Sequence, residues 1–80
     1  MKIAIMGYGT VGSGVAEVLD KNADIICKRL GGEPLEIKRI LDLRDFPGDR
    51  FERAMTKDFN DILNDPEIAV VAETMGGIHP

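Results

Sequence analysis

Ile3-Ala4-Ile5-Met6-Gly7-Tyr8-Gly9-Thr10-Val11-Gly12 is the most informative stretch of the chain. Its first four residues, with Lys2 before them, are apolar and β-branched enough for a short buried parallel strand from Lys2 to Met6. The last six form a G-x-G-x-x-G that leads directly into a helical pattern. In that setting each glycine has a physical task. Gly7 permits the tight turn out of the strand. Gly9 lets the backbone approach a pyrophosphate, and Gly12 lets the helix pack closely on the sheet. The free N–H groups of the helix start and the positive end of its dipole then face an anion. The stretch reads as the turn of a dinucleotide site.

Outward from this turn, Val11, Val15, Val18, Leu19, Ile26 and Leu30 recur at spacings that lay one apolar stripe along a helix over residues 11–30. Gly31-Gly32-Glu33-Pro34 stops it. Residues 35–43, with Leu35, Ile37, Ile40, Leu41 and Leu43, predict a second strand whose later part is buried. Residues 44–50 carry the charges and the Pro47-Gly48 pair of an exposed loop. Residues 51–56 fit either a helical turn or an irregular cover. Asp58 is placed as the N-cap of a short helix that ends before Pro66, and residues 68–74 predict a third strand. The order β-α-β-α-β predicts an α/β fold with a Rossmann-type parallel sheet, the first βαβαβ half only, in spatial order 3-2-1.

Length and composition bound what this unit does. Eighty residues suffice for one small domain, and a chain of that size buries only about 60% of its unfolded surface. A complete dinucleotide fold has two such halves, so residues 1–80 are expected to be the N-terminal half of a larger domain, with the remainder and any substrate domain elsewhere. With 44% hydrophobic and 30% charged residues the chain supports a packed core. A net charge of −4 argues against nucleic acid as a partner. No apolar run approaches the roughly 20 residues that cross a bilayer, and no signal-peptide core follows Met1, so a cytoplasmic protein is expected. The single Cys27 sits beside Ile25 and Ile26 and reads as a small hydrophobe. His79 reads as solvated. With no fourth strand beside it, the first strand would be an open edge, from which self-association and a homo-oligomer are expected.

Cofactor choice is written at the end of the second strand, where an acidic residue serves the ribose hydroxyls of NAD and an arginine the extra phosphate of NADP. Asp42, Arg44 and Asp45 all lie there. Arg44 is the preferred candidate, to stack on adenine or to meet a 2′-phosphate. Lys57 ranks second, and NAD versus NADP stays open. At the end of the third strand, Gly76-Gly77 would let the backbone come close to a ribose or substrate, while Glu73 suits a structural role equally well.

Taken together, Ile5-Met6-Gly7-Tyr8-Gly9-Thr10-Val11-Gly12-Ser13-Gly14-Val15, Asn22-Ala23, Ile40-Leu41-Asp42-Leu43-Arg44-Asp45, Asp65-Pro66-Glu67-Ile68 and Val71-Ala72-Glu73-Thr74-Met75-Gly76-Gly77 resemble the N-terminus of homoserine dehydrogenase. The resemblance spans nearly the whole chain. It implies a parent oxidoreductase that interconverts aspartate semialdehyde and homoserine with NAD or NADP, a step toward threonine, methionine and isoleucine. It also implies that the backbone at Gly7, Tyr8, Gly9, Thr10, Val11 and Gly12 holds the pyrophosphate. Arg44 would then sit at the adenosine ribose, and Thr74, Met75 and Gly76 would line the nicotinamide ribose. Many family members carry a leucine–isoleucine pair where this chain has Thr74-Met75. The family's catalytic lysines and substrate-binding acidic residues lie in later segments, so this stretch by itself is expected to be inert toward the small-molecule substrate. Two alternatives share the same phosphate turn: a related dehydrogenase of another small substrate, and a dinucleotide-sensing regulatory module.

Overall fold

The computed structural model describes residues 1–74. The elements are β1 (Lys2–Met6), α1 (Thr10–Lys21), α2 (Ala23–Arg29), β2 (Glu36–Leu41), a 3₁₀ turn (Glu52–Ala54), β3 (Met55–Thr56), α3 (Asn60–Leu63) and β4 (Ile68–Glu73). They build one parallel sheet in the order β3-β2-β1-β4. An α/β fold with a Rossmann-type parallel sheet therefore holds, with one change of membership. The third strand of the 3-2-1 half is not residues 68–74 but Met55–Thr56, inside the segment whose periodicity pointed to no one structure. Residues 68–73 are a fourth strand on the other side of β1. Two residues are too few to show any periodicity, whereas the apolar run at 68–73 shows plainly. This placement makes β1 central, so the open edge expected at residues 2–6 is absent and edge pairing through β1 has no basis. Among the described residues the outer strands are β3 and β4, and on β4 Val70 and Val71 are nearly half exposed.

Residues alternate across the sheet and feed two cores. Ile5 and Ile40 are fully buried on one face with Tyr8 and Ala16, and Val15, Phe46, Phe51 and Met55 pack around them. Ala4 and Leu41 point the other way and meet Ile62 of α3, with Met6 and Ile68 alongside. A bulge between Ile3 and Ala4 in the β1–β2 register places both Ile37 and Ile40 on the α1 face.

The stripe on α1 differs from the expected one. Gly12 and Ala16 are the buried residues of the helix, while Val11 and Val18 are more than half exposed. Small residues let the helix axis approach the sheet, so the contact line runs through Gly12, Val15, Ala16 and Leu19 rather than through the larger valines flanking it. The helix is also interrupted. At Asn22 the backbone leaves helical geometry (φ −102°, ψ 12°), and its side-chain amide donates to the Val18 carbonyl at 2.8 Å. Such local bonding is how asparagine competes with a continuing helix. The stop after α2 forms as expected: Gly31 and Gly32 adopt φ of 73° and 93°, and the Gly32 N–H closes on the Cys27 carbonyl at 2.8 Å. Asp58, expected as the N-cap of α3, stands one residue before it: Phe59 is the N-cap, because the turn at Phe59 is already helical, and the Asp58 carboxylate accepts from the Asn60 N–H at 2.9 Å. Cys27 is half-buried.

Candidate functional site

The strands end in register, Met6 beside both Leu41 and Glu73 and Leu41 beside Thr56. Gly7, Asp42, Lys57 and Thr74 therefore begin their loops in one row along the carboxyl edge of the sheet, where ligands of parallel sheets bind. The ladder continues into this row: Gly7 N–H donates to the Leu41 carbonyl (2.7 Å), Asp42 N–H to Thr56 (3.1 Å) and Thr74 N–H to Met6 (2.9 Å).

The glycine turn is built to hold its shape. Gly7 has φ of 102°, a conformation that side chains rarely tolerate. Gly12 stands so close that a Cβ there would lie 1.9 Å from the Gly7 carbonyl oxygen and 2.7 Å from its carbon. Thr74 closes the turn from the far side, its hydroxyl reaching the carbonyls of Met6 (2.8 Å) and Gly7 (3.0 Å). The α1 start that follows has no side-chain cap and no acidic residue in its first turn. Its first amides thus carry the uncompensated positive end of the helix, the arrangement that accepts an anion. Gly7, Gly9, Thr10, Val11, Gly12 and Arg44 border a shallow cleft over this start. A Cβ on Gly9 would touch nothing closer than Arg44 Nη2 at 3.5 Å, so the turn's need for glycine there is not set by the protein's own packing.

Tyr8 is placed differently from its neighbours. Its ring is buried among Phe46 and Phe51 in edge-on contacts (centroids 5.0 and 6.4 Å apart), and its hydroxyl donates to Asp49 Oδ1 at 2.9 Å. Burial, reinforced by the Asp49 carboxylate, pushes the phenol up to about 12. Its N–H is committed as well, donating to Asp42 Oδ2 at 2.9 Å. Tyr8 therefore anchors the turn to the 46–51 loop, and the amides open to an anion are those at the helix start.

Asp42 and Arg44 form the other half of the site. The guanidinium binds Asp42 side-on, Nε to Oδ1 at 3.0 Å and Nη2 to Oδ2 at 2.9 Å, while the Arg44 N–H reaches Oδ1 at 2.9 Å. The hydrogen bonds donated by the Arg44 side chain hold the Asp42 carboxyl well below the usual carboxylate range against the upward push of burial, and the Arg44 and Tyr8 amides add to the effect. Arg44 lies over the Phe46 ring at 5.3 Å. Lys57 borders a neighbouring apolar cleft with Arg44, Leu43 and Phe59, and its ammonium pairs with exposed Asp45 at 2.8 Å. Glu73 ends β4 as an exposed residue. Met75, Gly76, Gly77 and His79 lie outside the described residues.

The sequence thus placed the glycine turn, Arg44 and Thr74 on one edge, and the structure brings them together. It did not disclose that Tyr8 faces inward, that Thr74 serves the turn's carbonyls, or that Asp42 is a hub. The one available signal for the hub was the Asp42-x-Arg44 spacing, which is compatible with an exposed pair of no structural consequence.

No protein-family model matches the chain. It is 40% identical to a homoserine dehydrogenase of Pseudomonas aeruginosa over 78 residues, covering 96% of this chain and 18% of that protein. A homoserine dehydrogenase of Helicobacter pylori is 35% identical over 79 residues, with 98% and 18% covered. The crystal structure of Staphylococcus aureus homoserine dehydrogenase at pH 7.0 superposes with a TM-score of 0.80 at 37% identity, covering all of this chain and 21% of that one. The chain spans about a fifth of the length of the relatives it matches.

Proposed function

This chain belongs to the homoserine dehydrogenase family and matches the N-terminal portion of those enzymes, and on that premise we propose that it is the dinucleotide-holding part of an oxidoreductase interconverting L-aspartate 4-semialdehyde and L-homoserine. The observation that carries this reading is the uncapped α1 start above the Gly7–Gly12 contact, with Arg44 at its side. The helix-start amides hold the pyrophosphate, Arg44 takes the adenosine end, and Thr74, Met75 and Gly76 are the residues assigned to the nicotinamide ribose. When bound, the reduced dinucleotide would supply a hydride to the aldehyde carbon, and the oxidised one would accept it back from homoserine. What the chain contributes is orientation: a rigid turn, an anion site and a positioned cation. Residues 1–80 serve as the N-terminal half of the cofactor domain. Substrate contacts and proton transfer belong to other segments of a cytoplasmic enzyme in threonine, methionine and isoleucine synthesis.

Titration with NADH and NADPH, followed by nicotinamide fluorescence, tests the reading. Binding is expected to be weak for these 80 residues and to fall about tenfold in Gly9→Ala, whose methyl occupies the anion's approach while leaving the fold's own contacts intact. Absence of binding to either dinucleotide, or equal binding by Gly9→Ala, would refute the site. Turnover of homoserine by the 80 residues would refute the division of labour.

A further inference from the structure

An acidic side chain at the end of the second strand serves a ribose diol only if its oxygens are free to accept. Those of Asp42 are engaged. The side chain is 9% exposed, Oδ1 accepts from both the Arg44 N–H and Nε, and Oδ2 accepts from the Tyr8 N–H and Arg44 Nη2. A carboxylate offers about four acceptor sites, and all four are occupied by the protein. Two ribose hydroxyls could enter only by displacing the arginine or the turn's amide, each a bond to an ionised and largely desolvated group.

We propose that Asp42 is a positioning residue: it contacts no cofactor atom, ties the Gly7–Gly9 turn and the Arg44 guanidinium into one unit, and so sets a preference for the 2′-phosphorylated dinucleotide. The inference rests on the dinucleotide reading above and names which cofactor that site takes. The arginine is held on two sides. Its Nε and one Nη2 hydrogen are held by Asp42, and Phe46 covers one face at 5.3 Å. Of the five guanidinium donors, three are left at the border of the cleft. A planar fork with donors in fixed directions suits a phosphate, whereas a ribose diol finds no vacant carboxylate on Asp42. The other nearby acid, Asp45, is exposed and paired with Lys57.

The test is a calorimetric titration of the protein and its Asp42→Ala, Arg44→Ala and doubly substituted forms with NADPH and NADH. The protein should bind NADPH more tightly than NADH. Asp42→Ala should lose about tenfold in NADPH affinity, the scale of one charge-assisted hydrogen bond, while NADH changes by less than about threefold. The double form should be no weaker than Arg44→Ala, because the two residues act as one unit. Selective loss of NADH in Asp42→Ala, a gain in NADPH affinity, or a wild-type preference for NADH would overturn the proposal while leaving the dinucleotide reading intact. Failure to bind either cofactor overturns both. Should Asp42→Ala not fold, Asp42→Asn keeps one acceptor oxygen and is expected to show an intermediate loss. Nuclear magnetic resonance gives an independent readout: the Arg44 Nε–H and Tyr8 N–H signals should be protected from solvent exchange in the wild type and lose that protection in Asp42→Asn, and equal protection in both would count against the clamp.

Discussion

Gly12→Ala is the substitution the turn tolerates least. Its Cβ would sit 1.9 Å from the Gly7 oxygen, against the 3.5–4.0 Å of ordinary contact, so α1 would have to retreat by on the order of 1.5 Å. Gly7 cannot yield in its place. It is held at φ 102° by its N–H bond to Leu41 and by the Thr74 hydroxyl on its carbonyl. Overpacking of this kind costs about 1–3 kcal/mol or more, and alanine's better helix propensity returns only about 0.5–1 kcal/mol. Gly14→Ala on the same helix is the matched control, since a Cβ there has no neighbour within 4 Å and only the propensity gain remains. The two variants should therefore shift stability in opposite directions, with a gap of about 2 kcal/mol, or roughly 8–16 °C in melting temperature for a domain of this size. Urea and thermal unfolding followed by circular dichroism measure it. A Gly12→Ala protein that melts at or above the wild type would refute the packing argument, and with it the reason for a glycine at the third position of the motif.

Other consequences follow from single contacts. Tyr8 is the only tyrosine and there is no tryptophan, so its phenolate absorbance should rise near pH 12 in the folded protein and near 10 in the unfolded one. Because the folded value is the higher, this contribution to stability is complete below pH 10 and is lost as pH rises from 10 toward 12, a slope that Tyr8→Phe should abolish. Thr74→Val removes the donor to the Met6 and Gly7 carbonyls and should cost about 1 kcal/mol in urea unfolding, whereas Thr74→Ser should stay close to wild type. At the opposite end of the sheet, Lys38 hydrogen-bonds Asp65 at 2.5 Å and Glu67 at 2.7 Å, and it is the first cause that depresses both carboxyl groups. Their contribution is present above the ordinary carboxylate range and is lost as pH falls through and below it. Lys38→Met should therefore flatten the acid limb of the stability profile and raise both carboxyl titrations in carbon-13 spectra, and unchanged titrations would exclude the cluster.

What was readable and what was not divides along physical lines. β1 and the stop at Gly31-Gly32 were legible because each rests on a local property: an apolar run and a positive φ. The break at Asn22 was hidden inside an apolar periodicity that continues through it. β3 was hidden because two residues carry no pattern, and its omission moved residues 68–73 to the wrong side of β1. Val11 and Val18 were assigned to the sheet because hydrophobicity was weighed without size, although Gly12 and Ala16 are the residues that let the helix come close.

The parallel α/β class, the glycine turn at the first strand's end and the presence of Arg44 near it are all legible in the order of residues, since spacing and backbone freedom are properties of the chain read in order. Which groups remain open to a ligand is settled by packing. Tyr8 N–H and every acceptor of Asp42 are consumed by contacts across more than thirty residues or by the direction of one arginine, whereas the start of α1 is left uncapped. Hydrogen-bond capacity is finite and is allotted by three-dimensional proximity, and that allotment is absent from the order of residues.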